Sequence, residues 1–180
     1  TKTLFDPNEK VTSLVVDDTV SKERNWTSYE TNFDPASGVV TSSKLIADGG
    51  RTTLYNFDSQ GHRISTVDTG ADGVVATTQF DTQGRILSIA HADAAASQRP
   101  WVSGTETRDA ATGAVVSQVW AMDDGTTLTR EFTGGRLASE THSGLTGDVT
   151  STTVNYDAAG QVASRVTVSE EGTTSDYFTH

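Results

Sequence analysis

The chain has 180 residues, no cysteine and a formal net charge of -11, from thirteen basic against twenty-four acidic side chains. That balance argues against a nucleic-acid partner, which needs clustered Lys and Arg, and against attraction to an anionic membrane. It offers no disulfide or thiolate chemistry, and no apolar run approaches the roughly 18 residues of a membrane helix, so no membrane insertion is expected.

A start at Thr1 rather than Met predicts a mature form or an excised segment. Hydrophobic residues make up only 34% of the chain, with sparse aromatics and abundant Gly and Thr. Such a chain reads as short strands joined by many turns.

In chain order, the first element is a degenerate hairpin within 1–26, around LFDPNEKVTSL and Asp6. A phrase then recurs as TNFDPASGVVTS (31–42), YNFDSQGHRIS (55–65), TQFDTQGRILS (78–88), ETRDAATGAVVS (106–117), REFTGGRLAS (130–139) and VNYDAAGQVAS (154–164). Its turn column holds Asp34, Asp58, Asp81, Asp109, Thr133 and Asp157, at intervals of 24, 23, 28, 24 and 24 residues. Gly follows each Asp, as Gly38, Gly61, Gly84, Gly113 and Gly160, and the tighter copy uses Gly134-Gly135. Asp accepts hydrogen bonds from the backbone ahead of it, and Gly supplies the left-handed residue of a type I turn with a bulge. Each copy therefore predicts a β-hairpin, with one extra loop residue at Asp34 and Asp109.

Immediately before the turn stand Phe33, Phe57, Phe80, Phe132 and Tyr156, with Arg108 as the exception. Two residues after Gly stand Val40, Arg63, Ile86, Val115, Leu137 or Val162. A short loop sets these two columns opposite one another as cross-strand pairs. Two residues further on there is always Ser: Ser42, Ser65, Ser88, Ser117, Ser139 and Ser164. Period-2 counting puts that Ser on the face of the aliphatic column, as a small residue beneath a leaning aromatic; a polar ladder presented to a ligand is the alternative.

Asp34 to Asp109 and Phe57 to Phe132 are 75 residues apart, and Asp81 to Asp157 is 76. The chain thus reads as a first triple-hairpin unit at 27–99 and a second at 100–180, in one continuous repeat domain, with HADAAASQRPW (91–101) as the joint. The fold class expected is all-β, an antiparallel meander of about 12–14 strands in an elongated or curled sheet with a thin core on both sides. A β-sandwich is the alternative.

The pattern aromatic–Asp–x–x–Gly–(Arg)–aliphatic–x–Ser resembles the YD repeat of the Rhs and teneurin-like families, most closely in TQFDTQGRILS and VNYDAAGQVAS, where Tyr156-Asp157 is the literal pair. The resemblance covers most of the chain. It implies β-ribbons within large secreted or surface proteins, some enclosing a toxin domain and others engaged in adhesion or carbohydrate contact. Six copies are too few for a closed shell, which leaves a spacer or interaction module.

Catalytic motifs are missing. His62, His91, His142 and His180 form no HExxH or other close pair, and there is no Gly-x-Ser-x-Gly elbow, dinucleotide fingerprint or phosphate loop. DTGADG places Asp68 and Asp72 in a Gly-rich turn, and MDDGTT holds Asp123 and Asp124. Oxygen-rich loops suit a hard cation, so calcium is the candidate cofactor, although none is required. The bland reading is that Asp and Gly simply make turns. Trp26, Trp101 and Trp120 fall outside the repeated aromatic column, and are candidate carbohydrate contacts or core residues.

The function expected is a non-enzymatic structural or interaction module of a bacterial secreted or cell-surface protein, meeting a protein or carbohydrate partner. The alternatives are a calcium-stabilised segment of a secreted toxin or adhesin, and a small carbohydrate-active or proteolytic enzyme.

Overall fold

The computed structural model describes residues 1–20, 24–93 and 99–180, and every regular element among them is a strand. The chain divides into two compact units, Thr1–Leu87 and Ser88–His180. The first contains β1 (Lys2–Phe5), β2 (Val11–Asp17), β3 (Trp26–Phe33), β4 (Val40–Ala47), β5 (Thr52–Phe57), β6 (Arg63–Thr69) and β7 (Val75–Phe80). β8 (Ile86–Ala92) crosses the division. The second contains β9 (Trp101–Arg108), β10 (Val115–Met122), β11 (Thr127–Thr133), β12 (Arg136–Ser143), β13 (Val149–Tyr156), β14 (Val162–Ser169) and β15 (Gly172–Tyr177).

Among the described residues the fold is an all-β antiparallel meander, with fifteen strands in chain order and no crossover. The count exceeds the expected range because β15 is added after the last Asp hairpin, joined to β14 through Glu170-Glu171 without any repeat mark of its own. Of the joint expected at 91–101, residues 94–98 lie outside the described residues. Within each unit, strands contact only their sequence neighbours among the described residues, so each unit is a single layer and the sandwich alternative is not formed.

The turns explain why the hairpins close. The Oδ1 atom of Asp58 accepts the amides of Gln60 (2.9 Å) and His62 (2.8 Å). Its own amide donates to the His62 carbonyl, and Gly61 donates back to the Asp58 carbonyl. Asp81 and Asp157 repeat this arrangement. One carboxylate oxygen thus satisfies two loop donors that no strand partner can reach. In the longer loops a hydroxyl joins in: Ser37 and Thr112 each donate backbone and side-chain hydrogens to Asp34 and Asp109. Gly61 sits at φ 84°, the left-handed region this loop requires. Asp6 builds the same loop, but Glu9 occupies the glycine position at φ 64°.

The expected aromatic–aliphatic pairs form: Phe33 faces Val40, Phe132 faces Leu137 and Tyr156 faces Val162, while Phe57 faces Arg63. Arg108 faces Val115 in the same role, and its guanidinium donates to the Gly113 carbonyl at 3.1 Å, closing the loop it borders.

The serine column is the point of difference. Each of these hairpins shifts register beside the aromatic, so Asn56 faces Ser65 although Phe57 faces Arg63, with Ile64 as the bulged residue. The bulge inverts parity. Ser65 therefore lies on the face opposite to Arg63, where it meets Asn rather than an aromatic. The Asn56 amide donates to Ser65 Oγ at 2.9 Å, Asn155 to Ser164 at 2.9 Å and Asn32 to Ser42 at 3.2 Å. The column is a polar ladder made within the protein.

A thin core was expected on both faces, but the buried set is mostly polar. Val74, at 8% exposure, is the one buried hydrophobic side chain among the described residues, beside Ser13, Thr31, Ser43, Thr53, Ser65 and Thr66. Cross-strand pairs replace a core, each contributing about 0.2–1 kcal/mol. The registers Glu106–Gln118–Arg130–Glu140 give one such row, in which Gln118 donates to Glu106 (2.9 Å) and Arg130 to Glu140 (2.7 Å).

Candidate functional site

The structure gives the turn acids a structural task. Hydrogen bonds from Ser37 hold the Asp34 carboxyl below its ordinary value, as those from Arg85 do for Asp81. For Asp58, desolvation opposes the shift, and the hydrogen bonds from His62 and Gln60 together outweigh it. His62 Nδ1 lies 3.2 Å from Asp58 Oδ2, at the position where Arg85 pairs with Asp81 at 2.7 Å. His142 lies 3.2 Å from Glu140, and His180 Nε2 lies 2.9 Å from the Val162 carbonyl.

The four calcium candidates are placed as follows. Asp68 lies on β6, ion-paired with Arg51 at 2.9 Å and accepting the Thr53 hydroxyl at 2.6 Å. Asp72 accepts the Val74 amide at 3.2 Å within the turn. The Asp123 amide donates to the Pro100 carbonyl, and Asp124 caps Thr126 through its amide (2.9 Å) and hydroxyl (2.6 Å). Those bonds lower the Asp124 carboxyl. Among the described residues, no three His, Asp or Glu side chains come together as a metal site would require.

Two of the three tryptophans meet in the second unit. Trp101 and Trp120 lie with ring centroids 5.2 Å apart, and His91 stacks on Trp120 at 5.6 Å and meets Trp101 edge-on at 6.0 Å. Gly104 makes this possible. It stands between His91 and Trp120 in register, and a Cβ there would overlap the six-membered ring of Trp120. The indole therefore lies across β9 and reaches the imidazole. All three rings are half-buried, leaving part of an aromatic surface in solvent. Arg99 adds a guanidinium 5.4 Å from the Trp101 ring. Trp26 is in the first unit, beside Tyr29 (6.5 Å) and under Arg24 (4.9 Å).

The first unit holds a cleft of about 570 Å³ on the face that carries its aromatic column. Arg51, Thr53, Tyr55, Thr66, Arg63 and Phe80 are among its lining residues. Tyr55 and Thr78 flank Thr66 in register, and Arg63 lies 4.0 Å over the Phe80 ring. Sequence reading singled out neither His91 nor this cleft. A lone glycine in the middle of a strand was the available signal for the first; the second assembles residues from separate hairpins and leaves no local mark.

No protein-family profile matches the chain, and no curated protein matches it. Among solved structures, the crystal structure of TcdB2-TccC3-Cdc42 is similar at 14% identity and a TM-score of 0.28, over 97% of this chain and 12% of that one. The chain thus spans a small part of the length of that structure's chain.

Proposed function

We propose that the chain is a non-enzymatic interaction module, displaying strand faces and turn loops to a protein or carbohydrate partner within a bacterial secreted or cell-surface protein. The observation that carries this reading is the single layer in each unit, where strands contact only sequence neighbours among the described residues. With Val74 the one buried hydrophobic side chain among the described residues, most apolar side chains remain available for contact. The hairpins read as YD-type repeats, with Asp binding the loop and the preceding aromatic paired across the strand, and the secreted or surface setting follows from that resemblance. In the second unit the contact patch is the Trp101–Trp120–His91 surface, whose flat, half-exposed rings suit the C–H face of a sugar.

A glycan array probed with the wild-type protein and with Trp101→Ala tests the reading. The expected result is retention of at least one glycan class by wild type and its loss in the variant. Retention unchanged by the substitution removes the patch from the proposal. Release of new reducing ends from a bound glycan overturns the non-enzymatic reading.

A further inference from the structure

We infer that the cleft of the first unit is a binding site for an acidic sugar, a pyranose unit that carries a carboxylate. The inference deepens the display reading, and rests on it only in treating the ligand as bound rather than transformed.

The first sign is an orphaned hydroxyl. Thr66 is 7% exposed and lines the cleft, and its Oγ1 has no hydrogen-bond partner. Valine would fill the same volume without that penalty, since a buried hydroxyl left unpaired is unfavourable. A threonine here makes sense when something entering the cleft completes the bond.

The second sign is an arginine without an acid. Arg51, Arg85, Arg108 and Arg130 each pair with a carboxylate. Arg63, like Arg24, Arg136 and Arg165, has no ion-paired carboxylate among the described residues, and it stacks instead on Phe80, which lines the cleft with it. The stacking fixes the guanidinium plane and leaves its forked N–H edge for a planar anion, the geometry suited to a carboxylate. On the same lining, Asp68 is already neutralised by Arg51 and held by Thr53, so the cleft presents net positive charge on an acidic protein.

The third sign is the combination of surfaces. Tyr55 and Phe80 supply aromatic area, and Thr53, Thr66 and Thr78 supply hydroxyls along neighbouring strands. A sugar ring presents C–H faces and hydroxyl edges together, and a uronic acid adds the carboxylate that Arg63 would clamp. About 570 Å³ holds a ligand of one or two rings.

The test is calorimetric titration of the full chain with a short galacturonic- or glucuronic-acid oligosaccharide and with its neutral counterpart. Binding is expected for the acidic ligand alone, weakening as salt is added. Arg63→Gln is expected to lower affinity about ten- to hundredfold, and Thr66→Val roughly two- to tenfold. Thr66→Val is also expected to unfold at the same temperature or higher, because it removes an unpaired buried hydroxyl. A melting temperature that falls in Thr66→Val would show the hydroxyl already satisfied in the free protein and overturn the site. Equal binding of the neutral sugar, or none of the acidic one, overturns it as well. Should the acidic ligand fail while a glycan is still held through Trp101, the inference falls and the display reading stands. Should the ligand bind and emerge cleaved, the site stands and the non-enzymatic reading falls.

Discussion

Gly104 faces Trp120 across β9 and β10, and the indole occupies the space where a side chain at 104 would project. The pair works as knob and slot, and the slot carries the ring over to His91. Gly104→Ala is expected to push Trp120 off the strand, costing about 1–3 kcal/mol as other overpacking substitutions do. Near-ultraviolet circular dichroism and thermal melts check this together. An unchanged aromatic spectrum would show that the ring does not depend on the slot.

Glu9 is expected to be improvable. It is the one residue other than glycine at positive φ among the described residues, in a loop whose equivalents all use glycine at that point. Glu9→Gly removes the left-handed penalty but adds freedom to the unfolded chain, for a net gain of about 0.5–1 kcal/mol. A denaturant midpoint that does not rise would count against the loop geometry at Asp6.

Acid is expected to loosen the hairpins. Asp34, Asp58, Asp81 and Asp124 titrate below their ordinary values, as does Glu140, which is held down first by the hydrogen bond from Arg130. A depressed folded value means that the ionised form is favoured by folding. The stabilisation is complete above the unfolded value, at about pH 4, and is lost as pH falls through the lower folded values. Urea midpoints measured from neutrality downward should hold steady and then drop below about pH 4. Combining Asp81→Asn with Glu140→Gln should flatten that drop; an identical slope in the variant would refute the assignment.

The Asn–Ser ladder is expected to show direct coupling. Asn56 and Ser65 share a 2.9 Å hydrogen bond on facing strands. A double-mutant cycle with Asn56→Ala and Ser65→Ala should return about 0.5–1 kcal/mol of interaction energy. Additive single effects would reduce the ladder to coincident spacing.

The hairpins were legible in the sequence because their chemistry is local. Asp58 and Gly61 lie three residues apart, and the turn they make does not depend on the rest of the chain. The pairing of Phe132 with Leu137 follows from loop length in the same way. The face of Ser65 was not legible, because counting by twos through Ile64 assumes that no residue bulges, and one does. The polar buried set has a related cause: a single layer buries only what its own neighbouring strands overlap. The cleft leaves no local mark for a different reason. Arg51 and Thr66 belong to one hairpin and Phe80 to the next, and nothing in their spacing announces that they share a face.

Contact between sequence neighbours alone has one more consequence. Because a strand in either unit answers, among the described residues, only to the strands before and after it, nothing in that packing dictates how long a run must be. A duplication or deletion of one Asp hairpin would leave two ends of the same kind to rejoin, with polar ladder and aromatic pairing still in phase. Lineages can therefore lengthen or shorten such a ribbon by whole hairpins, without inventing a new core each time.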